Sequence, residues 1–149
     1  MSTHNTREEK LIAIEQATGY IFANPELCLD ALSTEGYTAG GRGHKHLAQL
    51  GDAALRLTLV LAGYEKGATR GQIDSTLSIR ASNSHLSKLG FGSGLDKWVY
   101  RSKGVEISMK MMATTVQAIL GAVFLDCKKD TSVFQGVTKA LDLSWPENT

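Results

Sequence analysis

Apolar residues recur every three or four positions along most of the chain, and strand-like alternation is scarce. This spacing is typical of amphipathic helices that bury one face against a core. The segment from Met109 to Leu125 is hydrophobic on nearly every side, which is typical of a helix at the centre of a domain. The pattern therefore predicts an all-α fold. The predicted helices, about seven in number, lie near residues 7–22, 25–32, 44–63, 70–80, 85–89, 109–125 and 131–141.

Local start signals support several of these helices. Asn24 followed by Pro25 has the form of an N-cap and a first helical residue, where proline sacrifices no hydrogen bond. Thr69 and Gln72 have the spacing of a capping box. The further predicted N-caps are Asn83 and Asp130. Glycine-rich stretches at 33–43 and 91–106 predict loops, the second with one helical turn around Leu95–Trp98.

Composition fits one folded domain. The chain has 149 residues, of which 42% are hydrophobic and 21% charged, so disordered and collagen-like classes are excluded. No linker or repeat divides it, and we expect a single domain over residues 1–149 with its core at about 7–142. No uninterrupted apolar run reaches membrane-spanning length, so we expect no membrane segment.

Cysteine usage and the N-terminus indicate a cellular compartment. Cys28 and Cys127 are far apart and lack a metal-binding spacing, so we interpret them as reduced thiols. The first ten residues are polar and include two glutamates, unlike a secretory or transit peptide. These features predict a cytoplasmic or nuclear protein.

The net charge offers little attraction for nucleic acid. Sixteen Lys and Arg against fifteen Asp and Glu give a formal charge of +1. Two interpretations stay open for the cations: a local basic rim that contacts phosphates, or scattered solvated side chains. The residues of the predicted rim are Arg42, Lys45, Arg101, Lys103 and Lys110.

Four motifs occur in a fixed order between about residues 11 and 142. Residues 17–32 read ATGYIFANPELCLDAL, residues 44–55 read HKHLAQLGDAAL, and residues 112–126 read MATTVQAILGAVFLD. Between the second and third, residues 79–83 read IRASN. In order and spacing, the four segments resemble the catalytic domain of ribonuclease III, whose signature is usually written NExLEFLGDxxL.

The resemblance implies an all-α nuclease domain that cuts double-stranded RNA with magnesium held by four carboxylates. Magnesium prefers oxygen ligands, and carboxylates also compensate its charge. The four positions fall on Ala48, Asp52, Thr114 and Gln117, so one acid is kept. An earlier signature glutamate falls on Lys45, about 10 Å along the helix from Asp52, and we expect at most a long or water-bridged contact. We therefore expect no magnesium site, no other metal or cofactor, and no magnesium-dependent cleavage.

Two further departures concern assembly. Many family members carry a double-stranded RNA-binding domain after the nuclease domain, and we expect none here. Family dimers often insert the signature phenylalanine into the partner, and that position is Gln49. We nevertheless expect a homodimer through this helix, because its apolar run from Leu47 to Leu61 is too wide for one buried stripe.

Three functions stay open at this point. The leading one is a catalytically inactive ribonuclease III-like module that dimerises and binds double-stranded RNA or a ribonucleoprotein. The second is an enzyme whose former cleft performs small-molecule chemistry. Its catalytic candidates are Asp52, Lys45, His44, His46 and His85, since histidine titrates near neutral pH. The third is residual double-stranded RNA endonuclease activity in RNA processing.

Overall fold

The computed structural model describes residues 6–34, 44–101 and 104–147. Across these ranges the only strand-like pairing is an isolated bridge between Ser33 and Tyr100, so the predicted all-α fold is confirmed. The helices are α1 Arg7–Thr18, α2 Pro25–Ala31, α3 Lys45–Glu65, α4 Arg70–Arg80, α5 Asn83–Gly92, α6 Met109–Asp126 and α7 Thr131–Ala140. A single turn of 3₁₀ helix, Leu95–Lys97, lies between α5 and α6.

Helix capping follows the sequence at most boundaries. Thr69 and Gln72 form the predicted capping box, and Asp130 accepts amide hydrogens at the start of α7. The prediction of Asn83 as an N-cap was wrong by one position. Ser82 is the N-cap, because its hydroxyl accepts the amide of His85, and Asn83 is the first helical residue.

Helix α1 ends earlier than the pattern predicts. It stops at Thr18 because Gly19 takes a left-handed conformation, with φ of 70°, and its amide bonds the Glu15 carbonyl. Glycine adopts this conformation without the steric cost that a Cβ imposes. The apolar residues that follow therefore belong to the connection to α2.

Helix α6 is the central element of the fold. Helices α2, α3, α5 and α7 pack against it, and residues 118–123 are buried without interruption. Within the described ranges, α6 is the one helix long and apolar enough to cross a membrane by length and composition alone. Since 56% of it is buried inside the domain, its core position accounts for its apolar character.

Two glycines bring α3 and α6 into backbone contact. A Cβ on Gly51 would lie 1.8 Å from the Gln117 carbonyl oxygen, and one on Gly121 would lie 2.0 Å from that of Leu47. Any larger residue would therefore force the helices apart. The two contacts also set the register. They show that α3 and α6 run in opposite directions, so that residue numbers rise along α3 where they fall along α6. This register places Asp52 opposite Gln117.

Asp126, at the end of α6, holds the connection between α1 and α2. Its carboxylate accepts the Tyr20 hydroxyl at 2.6 Å and the amides of Ala23 and Asn24 at 2.7 and 2.8 Å. Burial by itself would raise the pKa of Asp126, but these three hydrogen bonds outweigh it and lower that pKa below its usual value. The last residue of the third motif therefore has a structural role.

Lys10 and Cys28 are titratable residues whose side chains lie in the interior. Lys10 is 6% exposed; its Nζ donates to the Trp98 carbonyl at 2.9 Å and lies 4.3 Å from the centre of the Tyr100 ring. Burial, with a smaller effect of the Arg101 charge, lowers the pKa of Lys10. Burial also raises the pKa of the free Cys28 thiol to about 12. The Lys10 hydrogen bond stabilises the packing of α1, and the buried Cys28 packs α2 against the core.

Candidate functional site

The four positions that the resemblance assigns to magnesium ligands lie where α3 crosses α6. Ala48 and Asp52 are one turn apart on α3, and Thr114 and Gln117 are one turn apart on α6. Ala48 is buried and the other three are partly exposed. Gln117 Nε2 donates to Asp52 Oδ1 at 3.2 Å. The crossing therefore joins the two motifs into one polar site.

Asp52 also binds a cation from its own helix. Arg56 Nε lies 3.1 Å from Oδ1 and 3.1 Å from Oδ2, so one guanidinium N–H is shared between the two oxygens. The two side chains are partly exposed, 46% for Arg56 and 32% for Asp52. From the sequence, Lys45 was the predicted partner of Asp52, and Arg56 was not predicted. The sequence did contain a signal for this pair. Asp52 and Arg56 are four residues apart, a spacing at which opposite charges contact each other on a helix.

The remaining positions do not complete a magnesium site. Thr114 donates its hydroxyl to the Lys110 carbonyl in the preceding turn, at 2.9 Å. Ala48 has no ligand atom, and Gln117 carries no charge. Magnesium requires several oxygens in near-octahedral geometry and compensation of its charge. One carboxylate that already contacts a guanidinium does not fit this requirement. In residues 6–34, 44–101 and 104–147, no group of three or more His, Cys, Asp or Glu side chains is arranged to hold a metal ion.

The three candidate histidines have different environments. His44 is buried at 2% exposure immediately before α3, and His46 is exposed in the first turn of α3. His85 lies on α5 and lines a cavity of about 490 Å³ between α1, α5 and α7. Asp52 is not among the residues that line this cavity, and it faces α6 instead. The structure thus separates His85 from the Asp52 site.

The predicted basic rim is only partly described. Arg42 and Lys103 lie outside the described residues. Lys45 is exposed in the first turn of α3, and Lys110 is exposed in the first turn of α6. Because the two helices run antiparallel, these lysines lie at opposite ends of the crossing. Arg101 is exposed, and its Nη1 donates to the Asp96 carbonyl at 3.1 Å. Of the described cations in this set, Lys110 lies on the same side of the crossing as Arg56.

The outer face of α3 carries an exposed apolar stripe. Its members follow a spacing of three and four residues, which places them on one side of the helix. Leu57 is 56% exposed and Tyr64 is 79% exposed. Gln49 is exposed two turns before Leu57 on the same helix. The stripe consists of Leu57, Val60, Leu61 and Tyr64.

Sequence comparison identifies relatives over most of the chain. The ribonuclease III domain profile matches residues 45–128. Ribonuclease 3 of Carboxydothermus hydrogenoformans is 30% identical in an alignment 132 residues long, which covers 80% of this chain and 56% of that protein once gaps are left out. Ribonuclease 3 of Pseudomonas putida is 29% identical in an alignment of 129 residues that covers 82% of this chain and 56% of that protein. The chain thus spans about 56% of the length of these relatives.

Structure comparison gives the same fold. A structure of the nuclease domain of ribonuclease III from Campylobacter jejuni matches with a TM-score of 0.77 at 18% identity, covering 87% of this chain and 94% of that one. A second structure of that domain matches with a TM-score of 0.76 at 17% identity, covering 89% and 93%. With the motifs and the profile in agreement, the chain belongs to the ribonuclease III domain family.

Proposed function

We propose that this protein is a catalytically inactive ribonuclease III-like module that dimerises and binds double-stranded RNA or a ribonucleoprotein. One observation carries the proposal. Asp52 is the sole carboxylate at the four ligand positions, and it already accepts hydrogen bonds from Arg56 and Gln117. A domain of this family without magnesium ligands would act through what its surface binds.

The chemistry of the reaction supports inactivity. In the reaction that the family resemblance implies, magnesium activates the attacking water and stabilises the charge of the transition state. Loss of one group that stabilises this charge commonly costs on the order of a hundredfold in rate. Here three of the four carboxylates are replaced, by Ala48, Thr114 and Gln117. We expect no measurable cleavage.

Two observations support the binding and dimer parts of the proposal. The relatives are ribonuclease 3 proteins, and the family resemblance implies double-stranded RNA as the nucleic acid. The Campylobacter jejuni domain is described as having a region involved in dimer formation. On this chain, the exposed stripe of α3 offers an apolar surface for a second copy.

The test measures binding and cleavage side by side. End-labelled double-stranded RNA is incubated with the purified chain in EDTA, magnesium or manganese, at several salt concentrations, with an active ribonuclease 3 as positive control. We expect a retarded complex in all three buffers and intact RNA. Cleavage that disappears in Asp52→Asn would contradict inactivity, and absence of any complex would contradict RNA binding.

Small-molecule catalysis in the former cleft has less support. It requires histidines close to Asp52, and His85 instead lines the cavity between α1, α5 and α7. The carboxylate that would act as a base is also engaged by Arg56. The arrangement of the described residues therefore favours the binding function.

A further inference from the structure

We infer that the Arg56 guanidinium replaces the divalent cation of this site and binds a backbone phosphate of double-stranded RNA directly. The inference rests on the proposed function, since it assigns a contact within the RNA-binding surface. It starts from the finding that the site does not fit magnesium while one positive charge is held against its only carboxylate.

The geometry of Arg56 leaves part of its guanidinium for a ligand. Only Nε is hydrogen-bonded to Asp52, and in the part of the chain that the structure describes the two terminal amino groups have no partner. The side chain is 46% exposed, so these N–H donors reach solvent. A guanidinium presents its donors in a planar fork that matches two oxygens of a phosphate.

Asp52 and Gln117 orient this guanidinium. Arg56 is held by Asp52, and Asp52 is held in turn by Gln117 from the opposite helix. A long side chain that is fixed before binding loses less conformational entropy when its ligand arrives. This arrangement gives the retained aspartate a positioning role that needs no metal.

The surroundings of Arg56 suit an anion. Carboxylates at the other three positions would repel a phosphate, and Ala48, Thr114 and Gln117 carry no charge. The register of the crossing places Thr114 and Lys110 on the side toward Arg56. Lys110 is exposed, so a second cation lies at this end of the crossing. A phosphodiester backbone, rather than a metal ion, matches this set of groups.

The experiment measures RNA affinity by fluorescence anisotropy in EDTA across a range of salt concentrations. The variants are Arg56→Gln and, as matched control, Arg70→Gln, which removes the same charge from an exposed position on α4. We expect Arg56→Gln to weaken binding by about tenfold and to reduce the slope of log affinity against log salt by about one. We expect Arg70→Gln to change neither quantity appreciably.

Equal affinities and slopes for the two variants would overturn the inference and leave the proposed RNA binding intact. Failure of the unmodified chain to bind RNA would overturn the proposed function itself, and the inference with it. A second measurement follows RNA binding in the unmodified chain and uses the more conservative Arg56→Lys only to assign a signal. In the unmodified chain, the NMR signal of the Arg56 Nε–H, assigned by its loss in Arg56→Lys, should shift on titration with the RNA. An unchanged signal at saturation would overturn the inference.

Discussion

Asp52 meets Arg56 on its own helix and Gln117 across the α3–α6 crossing. A partly exposed ion pair four residues apart on a helix contributes only about 0.3–0.5 kcal/mol to stability. The contact matters more for ion binding than for stability. The Asp52 carboxylate would otherwise attract a divalent ion, and it already lies next to the positive charge of Arg56. At the residue scale, this pair is the feature of the site that argues against bound magnesium.

Magnesium should not stabilise the folded chain. A ligand that binds only the folded state raises the melting temperature once its concentration exceeds its dissociation constant. Because one paired carboxylate is a poor magnesium site, we expect the same melting temperature in EDTA and in millimolar magnesium at matched ionic strength. The melting temperature is measured by thermal denaturation monitored with circular dichroism. A magnesium-specific rise that Asp52→Asn abolishes would contradict this expectation.

Asp126 should contribute a pH-dependent part of the stability. Its folded-state pKa is lowered, burial being outweighed by the three hydrogen bonds that it accepts, so its contribution is fully present above about pH 4. That contribution is lost as the pH falls through the folded-state pKa. We expect Asp126→Asn to cost on the order of 1 kcal/mol at neutral pH, because the amide accepts fewer hydrogen bonds than the carboxylate.

Thermal melts between neutral and acidic pH measure this effect. The control is Asp74→Asn, which changes an exposed acid on α4. The difference in stability between Asp126→Asn and the unmodified chain should shrink as the pH falls below about 4. A difference that is constant with pH, or equal to that of Asp74→Asn, would show that the carboxylate charge is not involved.

At the scale of the elements, the α3–α6 contact controls the site. The two glycines let the helix backbones approach, and their register decides which side chains face each other. A helix rotates by about 100° for each residue, so a shift by one position would move Gln117 away from Asp52. The polar pair therefore depends on backbone packing as well as on its own chemistry.

Gly51→Ala should separate these helices. The new Cβ would lie 1.8 Å from a carbonyl oxygen of α6, a distance that no rotamer change relieves. We expect a loss of about 3 kcal/mol or more in the free energy of unfolding, measured by urea denaturation. The control is Gly136→Ala in α7, where the Cβ meets nothing within 4 Å, and we expect it to stabilise by about 0.5–1 kcal/mol. Equal effects of the two substitutions would refute the close approach.

For the whole molecule, α3 serves two surfaces. One face packs against α6 and carries Asp52, whereas the opposite face leaves Leu57 and Tyr64 in solvent. A stripe of this kind on a monomer favours association, because burial of apolar area is its main driving force. With a net charge of +1, the proposed RNA binding depends on local cationic groups, and a dimer would double the number of these groups on one duplex.

The purified chain should form a homodimer. We expect multi-angle light scattering at tens of micromolar to give a mass of about twice 16.1 kDa. Leu57→Glu should yield the monomer mass, because a charge in a buried apolar interface is costly. The control is Ile79→Glu, at a residue of α4 that is 64% exposed. A mass near 16.1 kDa for the unmodified chain would contradict the dimer.

Local chemistry made much of this protein predictable. Helix periodicity, the Thr69 capping box and the Asp130 cap depend on residues within a few positions of one another. The number of carboxylates at the ligand positions followed from the motif, as Ala48, Thr114 and Gln117 can be identified by alignment alone. The Arg56 pair was also within reach of the sequence, because it is a contact between neighbouring turns.

Tertiary structure decided the remaining features. Gln117 lies 65 residues from Asp52 in sequence, and their hydrogen bond exists because Gly51 and Gly121 fix the register of two helices. The separation of His85 from that site, and the exposure of the α3 stripe, likewise depend on which helices pack together. Sequence determines which face of a helix is apolar, but only the packing of the other helices determines whether that face is covered.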